Sequence, residues 1–136
     1  MKVLLDTHFV VWSILDPKKL VAEERKFLLE SRNEIFVSTV SLWEISLKYS
    51  IKKFNFDKYP IEQIVETIEE SGFEIISLDK SDAITFYKLP RLPNKDPFDR
   101  MLVWQSIRSD FHFMSIDPEI SEYEKNGLKL LKLRSS

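Results

Sequence analysis

The chain has 136 residues, 43% of them hydrophobic and 31% charged, with a formal net charge of −2. That length fits one domain with a real core, and the absence of cysteine excludes disulfides, thiolate catalysis and zinc-thiolate sites. The only glycines are Gly72 and Gly127, so no glycine-rich loop can cradle phosphates, and P-loop and dinucleotide-binding classes are excluded as well.

The apolar N-terminal run to Leu15 is interrupted by Asp6 and His8 and precedes no small-residue cleavage site. No signal peptide and no membrane span are expected, which makes the cytoplasm the default location. Net charge alone does not advertise a nucleic-acid partner; the local field around a site decides that.

Val3-Leu4-Leu5 is a short apolar run, as in a strand buried on both faces, and Asp6 ends it. A helix is expected from Thr7 to Leu15, broken by Asp16-Pro17. Residues 18–32 read as a helix with charged faces. Ile35-Phe36-Val37 reads as a second strand, and Ser38 as the cap of a helix over 39–52. Another helix covers 61–71 and stops at Gly72. Residues 73–78 read as a third strand, followed by Asp79 and a helix to about Tyr87. LPRLPNKDP is a loop, after which Asp96 caps a helix that has Pro97 at its first position and reaches Ser109. Residues 111–116 form a fourth strand, ended by Asp117-Pro118, and 128–133 alternates with lysines as an edge strand does. Strands alternating with helices predict an α/β fold: one domain over 1–136, with a mostly parallel central sheet and helices on both faces. In such sheets ligands bind beyond the carboxyl ends of the strands, where Asp6, Asp79 and Asp117 are expected.

Four carboxylates, Asp6, Glu44, Asp99 and Asp117, fall where apolar sequence predicts core. Each also has a plain structural role open to it. Asp6 serves as a helix cap. Glu44 lies at the edge of the stripe Val40, Trp43, Leu47 and Ile51, where its head can reach water and pair with Lys48. Asp96 at the cap and Asp99 at the third helical position resemble a capping box, though Asp99 also points along Val103 and therefore inward. Asp117 before Pro118 starts a turn. Asp16, Asp79 and Asp82 are assigned to caps and turns, and Trp12, Trp43 and Trp104 to the core. Lys48, Lys52, Lys53, Arg91, Lys95 and Arg100 flank the acids, either as a solvated face or as a rim for a phosphate backbone.

Two unit charges about 4 Å apart repel by roughly 4 kcal/mol at an effective dielectric near 20. Several such pairs rival the whole stability of a domain, about 5–15 kcal/mol. Converging carboxylates therefore require protons or cations, and hard oxygen ligands select Mg²⁺ or Mn²⁺.

LLDTH at 4–8, SLWEI at 41–45, DPFDRMLVWQ at 96–105 and SIDP at 115–118 together resemble the PIN-domain ribonucleases, most closely the VapC toxins of toxin–antitoxin pairs. The resemblance implies a compact α/β/α fold and an acidic pocket that binds Mg²⁺ or Mn²⁺. It maps the acids of that pocket to Asp6, Glu44, Asp99 and Asp117. Asp6 and Asp99 would bind the ion directly, and Glu44 and Asp117 would complete the shell or hold water. Thr7, His8, Ser115 and Asp96 are expected around them, with Lys48, Lys52 and Arg100 towards phosphate. The implied activity is endonucleolytic cleavage of RNA. The implied partners are an RNA substrate, a small antitoxin and a second copy of the chain.

The alternative is a non-catalytic PIN-like module that binds RNA or protein. A phospho-acceptor receiver domain needs an acid adjacent to Asp6, which is absent. A haloacid-dehalogenase-type phosphatase needs an Asp where His8 stands.

Overall fold

The protein is described by a computed structural model covering residues 1–54, 56 and 59–134. Five strands form one sheet: β1 (Lys2–Leu5), β2 (Glu34–Ser38), β3 (Glu74–Ile76), β4 (His112–Met114) and β5 (Lys129–Leu131). Their order is β3-β2-β1-β4-β5, and every pairing is parallel. Six α-helices join them: α1 (Thr7–Leu15), α2 (Ala22–Leu29), α3 (Thr39–Ser50), α4 (Ile64–Glu70), α5 (Lys80–Thr85) and α6 (Pro97–Ser109). The expected α/β architecture is therefore present, with the lysine-bearing β5 at one edge.

The sheet is covered on both faces, and strand alternation sorts the core in two. Val3, Leu5, Ile35 and Val37 pack with Phe9, Val10 and Ile68 on one side. Leu4, Phe36 and Phe113 pack with Leu102, Val103 and Tyr123 on the other. Among the described residues no helix is long and apolar enough to cross a membrane.

Three expectations are corrected. The helix expected over 18–32 is only α2. Pro17–Lys19 forms a short 3-10 turn, Leu20 turns into the core, and the Val21 amide is capped by Glu24 Oε1 at 2.9 Å. Residues Pro118–Asn126, given no element from sequence, form a 3-10 helix that buries Ile120 and Tyr123. The third correction concerns α3. Its buried residues are Val40, Ser41, Glu44 and Ile45. The apolar stripe splits: Val40 is buried, but Trp43 is 66% exposed, and Leu47 and Ile51 are exposed too. Trp43 is thus not core; it packs edge-on against Phe98, ring centroids 5.0 Å apart.

Gly72 ends α4 with φ +87°, and the next amide, Phe73, bonds back to the Ile68 carbonyl at 3.3 Å. This is the left-handed helix stop that glycine favours. A Cβ at Gly72 would meet nothing within 4 Å, so only backbone strain opposes it. Gly72→Ala should lower stability by about 1–2 kcal/mol, read as a lower urea midpoint with unchanged slope.

Candidate metal and catalytic site

The strand order reverses beside β1, between the branch running through β2 to β3 and the branch running through β4 to β5. Loops leaving the carboxyl ends of β1 and β4 diverge there and open a crevice. Asp6 leaves β1 in extended conformation, its amide held by the Met114 carbonyl of β4 at 3.0 Å. The residue is 5% exposed. Its Oδ2 accepts a 2.7 Å hydrogen bond from the Ser115 hydroxyl, and that hydroxyl accepts from the Asp117 amide at 3.1 Å. Its Oδ1 is buried and has no hydrogen-bond partner.

Asp99 lies in the first turn of α6. Asp96 accepts from the Phe98 and Asp99 amides at 2.8 and 3.2 Å, so Asp96 is the helix cap. Asp99 Oδ2 accepts instead from the Asn94 amide group at 3.2 Å, while Asn94 Oδ1 accepts from the Asp96 amide at 2.8 Å. One buried Asn thus fixes both acids. Asp117 is half-buried and caps the following 3-10 helix through the Glu119 amide at 2.9 Å.

Glu44 is 3% exposed, so its head does not reach water as the stripe suggested. Lys48 donates to Oε2 at 2.5 Å, which is the expected i,i+4 pair, and Oε1 is buried without a partner. A buried Thr7–Ser41 hydroxyl pair, 2.9 Å apart, ties α1 to α3.

The electrostatics are those of a crowded acidic pocket. Burial pushes the Asp6 carboxyl up to about 6, and the charges of Glu44 and Asp117 add to it against the Ser115 hydrogen bond and the nearby Thr7 amide dipole. Burial also pushes Asp99 up to about 7, helped by the charges of Asp6, Asp96 and Glu44 and opposed by Asn94. Partial burial lowers the affinity of Lys48 for its proton, but the Glu44 bond and the fields of Glu44, Asp96 and Asp99 outweigh this and raise its pKa.

Asp6, His8, Asp99 and Asp117 line one cavity of about 350 Å³, together with Trp12 and Ile116. Glu44 is not in its wall but lies within the electrostatic reach of both Asp6 and Asp99. Among the described residues no three His, Asp or Glu side chains stand close enough to hold a metal ion as they are. Uncompensated carboxylates repel one another, which keeps such a cluster open. The donor set fits a hard divalent cation on two grounds. The acids offer only oxygens, with the His8 imidazole as a nitrogen donor in the same wall, and two of those oxygens are buried and unpartnered.

Of the basic residues expected to face phosphate, Lys48 is held by Glu44, and Lys52 is exposed beyond the end of α3. Arg100 departs from that expectation. Its guanidinium bonds the Leu89 carbonyl at 3.1 Å and the Tyr123 hydroxyl at 3.3 Å, and covers the Phe86 ring at 4.7 Å. Asn94 and Ser41 escaped the sequence reading. Ser41 had a signal, because Ser41, Glu44 and Lys48 form a polar line at spacings of three and four along α3. Asn94 sits in an irregular loop with no periodicity to betray it.

A PIN domain family model matches residues 3–126. No match to a curated protein reaches significance. The fold is similar to the crystal structure of VapBC2 from Rickettsia felis bound to a DNA fragment from its promoter, with TM-score 0.66 and 18% identity over 98% of this chain and 100% of that one. It is also similar to a domain of a functionally unknown protein from Methanocaldococcus jannaschii, with TM-score 0.59 and 16% identity over 99% and 92%. A third similar structure is VapBC-5 from Mycobacterium tuberculosis, a member of the VapBC family of toxin–antitoxin systems, with TM-score 0.56 and 13% identity over 98% of each chain.

The raised carboxyl values fix a sign for stability. Between pH 4 and 7 the folded chain binds protons at Asp6 and Asp99 that the unfolded chain has lost, so stability falls as pH rises through about 6 and 7. Without divalent ions, Asp6→Asn should be more stable than wild type at pH 8, by on the order of 2 kcal/mol. The two proteins should converge near pH 4, as read by urea denaturation in EDTA.

Proposed function

This chain belongs to the PIN domain family, and from that premise we propose that it is a divalent-metal-dependent endoribonuclease of the VapC toxin type. The observation that carries the reading is Asp6: a carboxylate buried at the carboxyl end of β1, with one oxygen fixed by Ser115 and the other unpartnered. A structural cap has no reason to keep a desolvated, unsatisfied oxygen, and a ligand does.

Asp6 and Asp99 would hold the ion, Mg²⁺ or Mn²⁺. When bound, such an ion supplies Lewis acidity, lowering the pKa of water and neutralising charge on a phosphodiester. The Ser115 hydroxyl aims Asp6, and Asn94 aims Asp99 from the loop before α6. Asp117 in the cavity wall and the free Oε1 of Glu44 would offer acceptor oxygens to water. Lys48, held between Glu44 and the fields of Asp96 and Asp99, limits repulsion in the free protein. Thr7 fixes the start of α1 through Ser41, and His8 stands exposed at the cavity wall.

The proposed setting is the cytoplasm. The proposed partners are RNA, a small antitoxin that covers the pocket, and a second copy of the chain. The outward stripe of Trp43, Leu47 and Ile51 supplies apolar surface for such assembly. One observation favours the second reading, a non-catalytic binding module: the Lys48 ammonium already neutralises Glu44 without an ion. Calorimetric titration with Mn²⁺ separates the two, because a module of that kind does not need the ion.

Asp6→Asn and Asp99→Asn should each abolish Mn²⁺-dependent RNA cleavage while the fold persists in circular dichroism. Ser115→Ala and Asn94→Ala, which remove the aiming bonds together with the acceptors of the Asp117 and Asp96 amides, should lose roughly 10–100-fold. Undiminished cleavage by Asp6→Asn would overturn the assignment. Because protons compete for the same oxygens, Mn²⁺ affinity should climb between about pH 5 and 8 as Asp99 and Asp6 ionise.

A further inference from the structure

A second cavity, of about 520 Å³, adjoins the acidic one, and His8 and Trp12 line both. Its chemistry is the opposite. Lys18, Lys19 and Lys53 line it together with Phe54, and all three lysines are exposed. Its one carboxylate, Asp16, lies 3.7 Å from Lys19 in an exposed contact. Lys18 and Lys53 have no carboxylate partner among the described residues.

The end of α3 builds this wall. Lys52 takes a left-handed conformation with φ 61°, unusual for a residue with a Cβ. The amides of Lys53 and Phe54 then both return to the Lys48 carbonyl, at 2.8 and 3.3 Å. Lys53 and Phe54 are thereby fixed beside the acidic pocket, and the Lys48 ammonium lies 5.4 Å from the Phe54 ring centroid. Arg134 lies over Trp12 at 5.0 Å and pairs with the buried Glu24 at 3.4 Å.

We propose that this cavity is a groove for single-stranded RNA leading from the acidic pocket, in which a base stacks against the Trp12–Phe54 walls and the backbone phosphates meet Lys18 and Lys53. The proposal rests on the ribonuclease reading and names its substrate class. Two features favour a nucleic-acid strand over an acidic peptide. Flat rings interleave with cations, the combination that serves bases and phosphates together. The groove shares its His8–Trp12 wall with the pocket where a scissile phosphate would sit. The chain as a whole carries −2, so a cationic lip is local rather than general. A paired duplex cannot offer an unstacked base to those rings, so single strands are preferred.

The test is binding of a fluorescein-labelled oligouridylate of about 12 nucleotides, read by anisotropy in EDTA so that no cleavage intervenes. The Lys18→Glu/Lys53→Glu double variant should bind about tenfold or more weakly, with the salt slope reduced by about 1.4 for two lost single-strand contacts. Phe54→Ala should lose roughly tenfold from stacking. Calorimetric Mn²⁺ affinity should stay at the wild-type value in the double variant, showing an intact acidic pocket. An RNA duplex of equal length should bind more weakly than the single strand.

Wild-type affinity in the double variant overturns the groove, as does absence of oligouridylate binding by the wild type. Tighter competition by polyglutamate than by RNA overturns it in favour of an acidic peptide. The two readings fail separately. Loss of binding in the variants with no Mn²⁺-dependent cleavage by the wild type keeps the groove and removes the nuclease. Normal cleavage by the double variant at low substrate keeps the nuclease and removes the groove.

Discussion

The desolvation of Asp6 is the constraint around which the site is arranged. Moving a carboxylate out of water costs several kcal/mol, and a parallel strand buried on both faces gives its last residue little water to recover. The chain answers with one hydroxyl. Ser115 crosses from β4 to donate to Oδ2 and simultaneously accepts from the Asp117 amide. That single side chain couples the ends of two adjacent strands across 109 residues of sequence. It leaves Oδ1 bare, so the balance is closed only by a proton, or by something that binds in the crevice. The same logic recurs at Asp99, where Asn94 satisfies one oxygen while burial and neighbouring charge hold the carboxyl near the protonated state.

The helix α3 shows how strongly the site dictates the fold around it. In an ordinary surface helix the apolar stripe faces in. Here the inner face carries Ser41 and Glu44 beside Val40 and Ile45, and Trp43, Leu47 and Ile51 face out. Burying Glu44 is tolerable because Lys48 lies one turn on and bonds it, with the lysine stem half-buried along the helix. The arrangement sacrifices apolar burial on one side to bring a carboxylate within the field of Asp6 and Asp99. The displaced hydrophobic surface then becomes an exposed stripe, an unfavourable feature unless another surface covers it.

Much of this was legible in the sequence, and the failures have a common cause. The strands β1 and β2, the helices α1 and α6, and the caps Ser38 and Asp96 are local features, written in short apolar runs, Asp-Pro steps and a serine before a helix. The strand-end placement of Asp6 and Asp117 followed from them. Periodicity, however, reports only that α3 has an apolar side, not which object that side meets. It therefore put Trp43 in the core and Glu44 at a wet edge, when the reverse holds. Arg100 flanks the acids in sequence, yet its guanidinium turns to Leu89, Tyr123 and Phe86. Asn94 was invisible because an irregular loop has no period, and its role depends on Asp96 and Asp99 being brought back onto it.

The balance of charge separates a metal site from a structural ion-pair network. Asp6, Glu44, Asp99 and Asp117, with Asp96 beside Asp99, outnumber the ammonium of Lys48 that stands among them, so negative charge is in excess when all are ionised. A network built for stability tends to satisfy its acceptors, because an unpaired buried oxygen costs about 1–3 kcal/mol. Here the one cation goes to Glu44, while Asp6 and Asp99 receive only neutral donors, a hydroxyl and an amide. Neutral donors orient an oxygen without consuming its charge. Those two acids are therefore aimed but not neutralised, the state in which a divalent ion gains most from arriving, and they flank the crevice where the sheet reverses its strand order.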